Sequence, residues 1–295
     1  MTNILGIILF FKTKIMTNNL KIGFMQGRLV NQIGNQIQCF PNNSWKKEFE
    51  LSEKIGFHLI EWIFDDYSNP ILFTDERNEI KLLSEKYNVL INSVCADFFM
   101  VHKLFSESEN ELTKNLDILK KLIEISSSLG IKIIEIPLVD SSSLSSTDNK
   151  IEFKKNLEKI IPLAETHKII LNLETDLPPL EFKELINSFQ SNYVRANYDV
   201  GNSTSLGYNV EEELDILKNL ITNVHIKDRL IGGRTVPLGK GDVNFVQFFQ
   251  SLSKINYSGD LIIQGARKDE NSFSPYETCS EYKIFIQNYL DTYFK

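Results

Sequence analysis

The sequence is poor in the residues that build several common kinds of functional site. It has three cysteines, Cys39, Cys95 and Cys279, and four histidines in 295 residues. The cysteines are odd in number and far apart, which argues against a disulfide framework or a cysteine-based zinc site and fits reduced thiols in the cytoplasm. Lys and Arg number 32 against 39 Asp and Glu, a net charge of -7. An acidic chain of this kind is a poor candidate for general nucleic-acid binding.

Long apolar runs are also missing. The apolar stretch at residues 4–11 is far shorter than the roughly 20 residues that span a bilayer, so we expect no membrane association. It resembles the core of a secretory signal, but no basic region precedes it and no small-residue cleavage site follows. The tripeptide MTN occurs at Met1 and again at Met16. We therefore interpret residues 1–15 as an extension outside the fold, with a secretory signal as the alternative, and residues 16–295 as a cytoplasmic domain.

Eight short apolar runs alternate with amphipathic stretches along this domain. Each run has the length and the β-branched or aromatic composition of a strand buried on both faces. The runs cover residues 21–25, 59–64, 89–96, 132–138, 168–174, 193–199, 223–227 and 260–264. Helical patterns lie between them, near residues 44–55, 74–87, 112–123, 153–164, 180–190, 210–220, 243–254 and 276–293.

This alternation predicts an α/β fold, a single-domain (β/α)8 TIM barrel. No linker rich in Pro, Gly or Ser divides the chain. A doubly wound open sheet is the alternative. It is less suitable because no glycine-rich phosphate-binding fingerprint follows the first predicted strand.

Three polar residues come from consecutive predicted strands, at the strand ends where such barrels build their active sites. Glu174 ends the fifth strand, Asp199 ends the sixth, and His225 lies in the seventh. One imidazole and two carboxylates suit Mn²⁺, Co²⁺, Zn²⁺, Fe²⁺ or Mg²⁺. For any one of these residues alone, a hydrogen-bonded core or surface role is the simpler interpretation. The alignment of all three favours a metal site.

At these positions the chain resembles the xylose isomerase-like barrels, a family of sugar phosphate isomerases and epimerases. The resemblance runs from about residue 21 to the C-terminus and rests on KIGFMQGRL, LNLE, YDVGN, HIKD and PLGKGDVNF. It implies a metal held by Glu, Asp, His and Glu from strands five to eight, which match Glu174, Asp199, His225 and, with a departure, Gln264. The related zinc endonucleases use many histidines, so DNA repair is a poor match for this chain.

Gln264 changes what the resemblance implies for the mechanism. A Gln carbonyl oxygen can ligate a hard cation, so we expect a retained but weaker metal site. Gln cannot take up a proton, however, whereas the similar epimerases place one Glu on each face of the sugar carbon. Three hypotheses stay open: an isomerase or epimerase in which Glu174 or Lys227 moves the proton, a dehydratase or lyase acting on a polyol or keto-sugar, and a non-catalytic sugar-binding barrel.

Other polar residues near the strand ends are candidates for contact with a small-molecule sugar or sugar phosphate. Guanidinium groups match phosphate bidentately, although surface ion pairs are a simpler role for each arginine. Side chains alternate along a strand, so Glu61 and Trp62 cannot both face the barrel interior, and we expect Glu61 to do so, near the substrate or in a polar network. The sequence is compatible with a homo-oligomer. The predicted substrate-binding residues are Arg28, Glu61, Asn202, Asp228 and Arg267.

Overall fold

The computed structural model describes residues 20–34, 36–268 and 272–294, in which eight parallel strands close into a barrel. These strands are β1 (Ile22–Met25), β2 (Leu59–Ile63), β3 (Leu90–Cys95), β4 (Ile133–Leu138), β5 (Ile170–Thr175), β6 (Val194–Asp199), β7 (Ile221–Ile226) and β10 (Asp260–Ile263). A two-stranded hairpin, β8 (Asp228–Arg229) and β9 (Thr235–Val236), lies between β7 and β10. Each barrel strand pairs with its neighbours along the chain, and β10 closes the barrel against β1. The predicted TIM barrel is confirmed.

The helices cover the outside of the barrel. They are α1 (Trp45–Ile55), α2 (Thr74–Tyr87), α3 (Phe98–Val101), α4 (Glu109–Leu129), α5 (Thr147–Glu158), α6 (Ile161–His167), α7 (Pro179–Ser188), α8 (Val200–Ser205), α9 (Val210–Leu217), α10 (Phe245–Lys254) and α11 (Pro275–Tyr293). Among the described residues, no helix is both long and apolar enough to cross a bilayer. The predicted extension at residues 1–15 lies outside the described residues.

The helical pattern at residues 153–164 is divided between two helices, α5 and α6, where the periodicity predicts one. Pro162 lies in the first turn of α6. Its ring removes a backbone N–H donor and clashes with the preceding turn, so α5 cannot continue through it. The short helices α3 and α8 follow β3 and β6 directly and are too brief to show a periodic pattern.

Strand β2 places Glu61 inside the barrel and Trp62 outside it, as predicted. The indole of Trp62 packs against Trp45 of α1, with ring centroids 5.4 Å apart. Its Nε1–H donates to Asn69 Oδ1 at 2.9 Å. Glu61 contacts His225 across the interior. The layer between the barrel and the helices is therefore apolar, whereas polar side chains lie inside the barrel.

Glu48 of α1 holds the loop that follows β1. Its carboxylate Oε1 accepts hydrogen bonds from the backbone N–H groups of Gly27 at 2.8 Å and Leu29 at 3.2 Å. Burial raises the pKa of Glu48 to about 7, although these two bonds and the charges of Arg267 and Arg28 oppose the rise. The loop residues that face the barrel mouth are therefore anchored by a buried, titratable group.

Glu48→Gln is expected to change how stability depends on pH. The Glu48 pKa is 4.5 ordinarily and about 7 in the fold, so the folded state binds the proton more tightly. The contribution of Glu48 to the free energy of unfolding should fall by about 3 kcal/mol as pH rises from 4.5 to 7, and then level off. Glutamine does not titrate. The free energy of unfolding of the variant, relative to that of wild type, should therefore be about 3 kcal/mol higher at pH 8 than at pH 4.5. Urea unfolding at both pH values measures this gain.

The matched control is Glu53→Gln, which removes an exposed carboxylate from the same helix. It should shift the free energy of unfolding equally at both pH values. If Glu48→Gln behaved in the same way, the carboxyl group would not carry its proton in the folded protein.

Candidate active site

The predicted ligands Glu174, Asp199 and His225 meet at the C-terminal end of the barrel. The pairing of β6 with β7 places Asp199 directly beside His225. One ligand atom from each of the three residues lies within 4.8 Å of the others, and all three side chains are buried. Parallel strands bring these positions together because equivalent residues of neighbouring strands point to the same face.

A closed set of hydrogen bonds fixes the orientation of the His225 ring. Its Nε2 lies 2.7 Å from Glu61 Oε2, and its Nδ1 lies 3.1 Å from Asn197 Nδ2. Asn223 Nδ2 donates to both Glu61 Oε1 and Asn197 Oδ1, each at 2.9 Å. These bonds assign the Nε2–H to Glu61 and turn Nδ1 toward Glu174, which is 3.2 Å away. A carboxylate behind an imidazole is the usual support for a metal-ligating histidine.

The buried carboxylates around His225 stabilise a positive charge on its imidazole ring. Burial alone would lower the pKa of the imidazole, but the charges of Glu61 and Glu135 and the bonds to Glu174 and Glu61 raise it well above its ordinary value. Without another cation, a proton on Nδ1 supplies that charge. A divalent ion in the same place would supply it too, because Nδ1 faces Glu174 and Asp199.

Glu174 is held as an ionised carboxylate. Burial would raise its pKa, but the bond and charge of His225, the charge of Lys227 and the bond from Asn197 lower it to about 2. Asn197 Nδ2 donates to Glu174 Oε2 at 2.7 Å, and Asn202 Nδ2 donates to Oε1 at 2.7 Å. Both oxygens therefore have a fixed direction.

Glu135 lies deeper in the barrel and forms a second acidic group with Glu61 and His225. Its Oε2 is 3.7 Å from His225 Nε2 and accepts no hydrogen bond from the described residues. Burial first, and then the charges of Glu174 and Glu61, raise the pKa of Glu135 well above its ordinary value, against the charge of His225. This raised pKa makes Glu135 a weaker metal ligand than Glu174, whose pKa is lowered.

Gln264 directly follows β10 and lies at the mouth, 7% exposed. Its Nε2 donates to Gln38 Oε1 at 3.0 Å. Nothing among the described residues donates to its Oε1, which is buried. A buried amide oxygen without a partner is costly unless something else binds it. This unpaired oxygen, together with the imidazole and two carboxylates, fits a divalent metal ion.

Lys227 and Asn202 surround Asp199. Lys227 Nζ lies 2.9 Å from Asp199 Oδ2, and the Asn202 backbone N–H donates to Asp199 Oδ1 at 2.8 Å. A Cβ atom at Gly201 would lie 2.8 Å from the Lys227 side chain, closer than real contacts allow. The glycine of the YDVGN motif therefore lets Lys227 pass over the start of α8 toward the site.

Asp228 does not offer a free carboxylate to a substrate. Its oxygens accept hydrogen bonds from four backbone N–H groups of the loop before α10, those of Gly239, Lys240, Gly241 and Val243. This arrangement explains the PLGKGDVNF motif, because a Cβ at Gly241 would lie 2.1 Å from Asp228 Oδ1. Asp228 therefore shapes this loop, and its contact with a substrate stays a prediction.

Glu61 lies in a polar network, the predicted alternative to contact with the substrate. It faces inward, but it is fully buried below His225 and bonded to His225 and Asn223. Such a position orients a ligand rather than contacting a sugar. Arg28 and Arg267 lie beside each other on the opposite rim and line one cleft.

Sequence reasoning overlooked Asn197, Asn223, Glu135 and Gln38. The first two precede Asp199 and His225 by two positions, so the period of a strand could have placed them on the same inner face. Glu135 is the one charged residue in the otherwise apolar strand β4, and that isolation could have marked it. Gln38 lies in an irregular loop, where no periodic signal exists.

The Xylose isomerase-like TIM barrel family model matches residues 49–275. The chain belongs to this family. An L-ribulose-5-phosphate 3-epimerase, UlaE, from Salmonella heidelberg is 26% identical over 237 residues, which are 75% of this chain and 81% of the relative.

Solved structures of xylose isomerase-like barrels share the fold at lower identity. A crystal structure of IOLI protein with a binding zinc atom has a TM-score of 0.76 at 18% identity, and the match covers 94% of this chain and 100% of that one. D-psicose 3-epimerase with D-tagatose, from Clostridium cellulolyticum H10, has a TM-score of 0.74 at 13% identity, covering 92% and 99%.

Proposed function

We propose that the chain is a divalent-metal-dependent isomerase or epimerase of a small sugar or sugar phosphate. The observation that carries this proposal is the convergence of Glu174, Asp199 and His225 at the barrel mouth. The unpaired Oε1 of Gln264, which follows the neighbouring strand β10, adds to it. The family membership supports it, and so does the likeness to an L-ribulose-5-phosphate 3-epimerase. The metal ion is one of Mn²⁺, Co²⁺, Zn²⁺, Fe²⁺ and Mg²⁺, all of which accept this ligand set.

A divalent ion bound by these residues would polarise the carbonyl and hydroxyl oxygens next to the reacting carbon. Glu174 is the base in this proposal. It is ionised at neutral pH, and its two oxygens are directed by Asn197 and Asn202. A carboxylate held in this way takes a proton from a carbon placed above it without having to reorganise.

The other face of the sugar needs a different proton donor. Gln264 occupies the position where a second carboxylate is implied by the family, and an amide cannot exchange that proton. Lys227 is the ammonium group nearest to the ligand set, with a side chain 14% exposed and paired with Asp199. Because Lys227 is linked through Asn202 to the same Glu174 carboxylate, we assign the return of the proton on the opposite face to water.

Loss of the second carboxylate also favours a second candidate function. A dehydratase acting on a similar polyol or keto-sugar needs one base, which Glu174 supplies. The two reactions differ in product mass, since a dehydratase releases water. They share the same metal ligands, so the metal alone does not separate them.

The proposal is tested with the full chain, first stripped with EDTA and then titrated with Mn²⁺, Co²⁺ or Zn²⁺. L-Ribulose 5-phosphate and free L-ribulose serve as substrates. Epimerisation should appear only with metal, and a product formed in D₂O should carry deuterium at the inverted carbon. A product lighter by one water would favour the dehydratase. Absence of both metal binding and turnover would overturn the metal-enzyme proposal.

Gln264→Glu is expected to tighten metal binding by about tenfold, because an anionic ligand replaces a neutral one. Calorimetric titration with Mn²⁺ measures this change. The matched control is Gln250→Glu, which adds the same charge on the exposed face of α10. Equal affinities for wild type and both variants would show that Gln264 is not a ligand.

A further inference from the structure

Two arginines line a cleft between the loop after β1 and the segment after β10. Arg28 belongs to the first and Arg267 to the second, and other walls of the cleft are formed by Gly27, Ile37 and Pro41. Because β10 is hydrogen-bonded to β1, these two segments are neighbours at the same end of the barrel as the candidate metal ligands. TIM barrels often bind phosphate at the loops after their last strands.

Arg28 is a buried cation that forms no ion pair with an acidic residue of the described ranges. Its residue is 6% exposed. The guanidinium donates to Ile37 O at 3.2 Å and to Gln38 Oε1 at 3.0 Å, both neutral acceptors. In the described part of the chain no carboxylate lies within ion-pair distance of it, and its Nε has no hydrogen-bond partner. Buried charges are normally paired, so this guanidinium is suited to binding an anion.

Arg267 adds a second positive charge to the same cleft. Its Nη2 donates to the backbone carbonyl groups of Gly27 and Val30, which hold the guanidinium against the loop. Burial lowers the pKa of Arg28 to about 10, and the charge of Arg267 is the next cause. A guanidinium matches the oxygens of a phosphate in geometry, so Arg267 offers a second contact for an anion in this cleft.

Gln38 joins this cleft to the candidate catalytic site. Its Oε1 accepts from Arg28 Nη2 and from Gln264 Nε2, each at 3.0 Å. Arg28 and Gln264, the fourth predicted metal ligand, are therefore linked through one oxygen atom of Gln38. A sugar is a few carbon atoms long. If its reacting carbon lies at the metal ligands, its other end therefore lies near Arg28.

We infer that Arg28 and Arg267 form a binding site for the phosphate of a phosphorylated sugar, so that the substrate is a sugar phosphate rather than a free sugar. This inference rests on the proposed function and names its substrate class. The cleft is narrow, about 10 Å³, and holds about one water molecule. Phosphate entry therefore requires exposed side chains such as Ile33 and Ile37 to move aside.

Binding without turnover tests the inference. The full chain, stripped of metal with EDTA, is titrated calorimetrically with inorganic phosphate, L-ribulose 5-phosphate and L-ribulose. Arg28→Gln and Arg267→Gln should each weaken binding of the two phosphate-bearing ligands by about 10- to 100-fold, the contribution of one charge-assisted contact. Neither should alter binding of L-ribulose. Arg28→Lys should fall between wild type and Arg28→Gln, because the charge remains but the bidentate geometry is lost.

The matched control is Arg234→Gln, which removes an exposed guanidinium from the hairpin at the same end of the barrel. It should bind all three ligands like wild type. Thermal unfolding of each variant checks that it is folded, and Arg267→Gln provides an independent test if Arg28→Gln does not fold. Equal wild-type affinity for L-ribulose and its 5-phosphate, or unchanged phosphate affinity in both variants, would overturn the phosphate site.

The outcomes for the site and for the function are separable. Arginine-dependent phosphate binding without sugar turnover in the metal-loaded protein would retain the site and reject the isomerase. Metal-dependent turnover of free and phosphorylated sugars at equal kcat/KM, unaffected by Arg28→Gln, would retain the isomerase and reject the site.

Discussion

Glu174→Gln is expected to lower kcat by about 10²–10⁴-fold, the range that general base catalysis contributes. Glutamine has nearly the same shape, but its single amide oxygen can accept only one of the two bonds from Asn197 and Asn202, which go to different oxygens of Glu174. It cannot take a proton, and it removes one negative charge from the ligand set. We therefore expect weaker metal binding as well. The measurement is kcat and KM at saturating Mn²⁺, together with a calorimetric metal titration.

The control for this variant is Glu181→Gln in α7, the helix that follows the same strand. Glu181 is exposed and pairs with Lys150 at the surface. Its replacement should leave kcat and metal affinity unchanged. If Glu174→Gln kept kcat within tenfold of wild type under saturating metal, Glu174 would be a ligand only, and the base would have to be another residue.

Glu61→Ala is expected to lower the free energy of unfolding by about 3–5 kcal/mol, the effect of breaking a buried ion pair. The substitution leaves His225 Nε2 and Asn223 Nδ2 without the acceptor that both now use. It also frees the imidazole to rotate, so metal affinity should fall by about 10–100-fold, as when a supporting carboxylate is removed from a metal-bound histidine. Urea unfolding of metal-free protein and Mn²⁺ titration measure the two effects separately.

Glu61→Gln should give a smaller loss of both quantities, because the amide oxygen still accepts from one donor while the charge is gone. Glu85→Ala, an exposed site in α2, is the control and should change neither. Loss of stability in Glu61→Ala with unchanged metal affinity would mean that Glu61 supports the barrel but does not orient His225.

The barrel itself was predictable because its signals are local. Buried parallel strands read as short apolar runs, and strands β1 to β7 and β10 begin and end within two residues of the predicted bounds. The same regularity placed Glu174, Asp199 and His225 together, since equivalent positions of consecutive strands share one face. The prediction was wrong at residues 153–164, where Pro162 divides one periodic pattern between the two helices α5 and α6.

Side-chain roles depended on distances across the barrel, which no local pattern contains. The sequence by itself determined the architecture, the inward direction of Glu61 and the set of three candidate ligands. Only the tertiary structure decided that Glu61 supports His225, that Asp228 holds a loop, and that Gln38 links Gln264 to Arg28. The physical reason is that strand period and burial follow from neighbours along the chain, whereas hydrogen bonds between different strands and loops follow from the closure of the barrel.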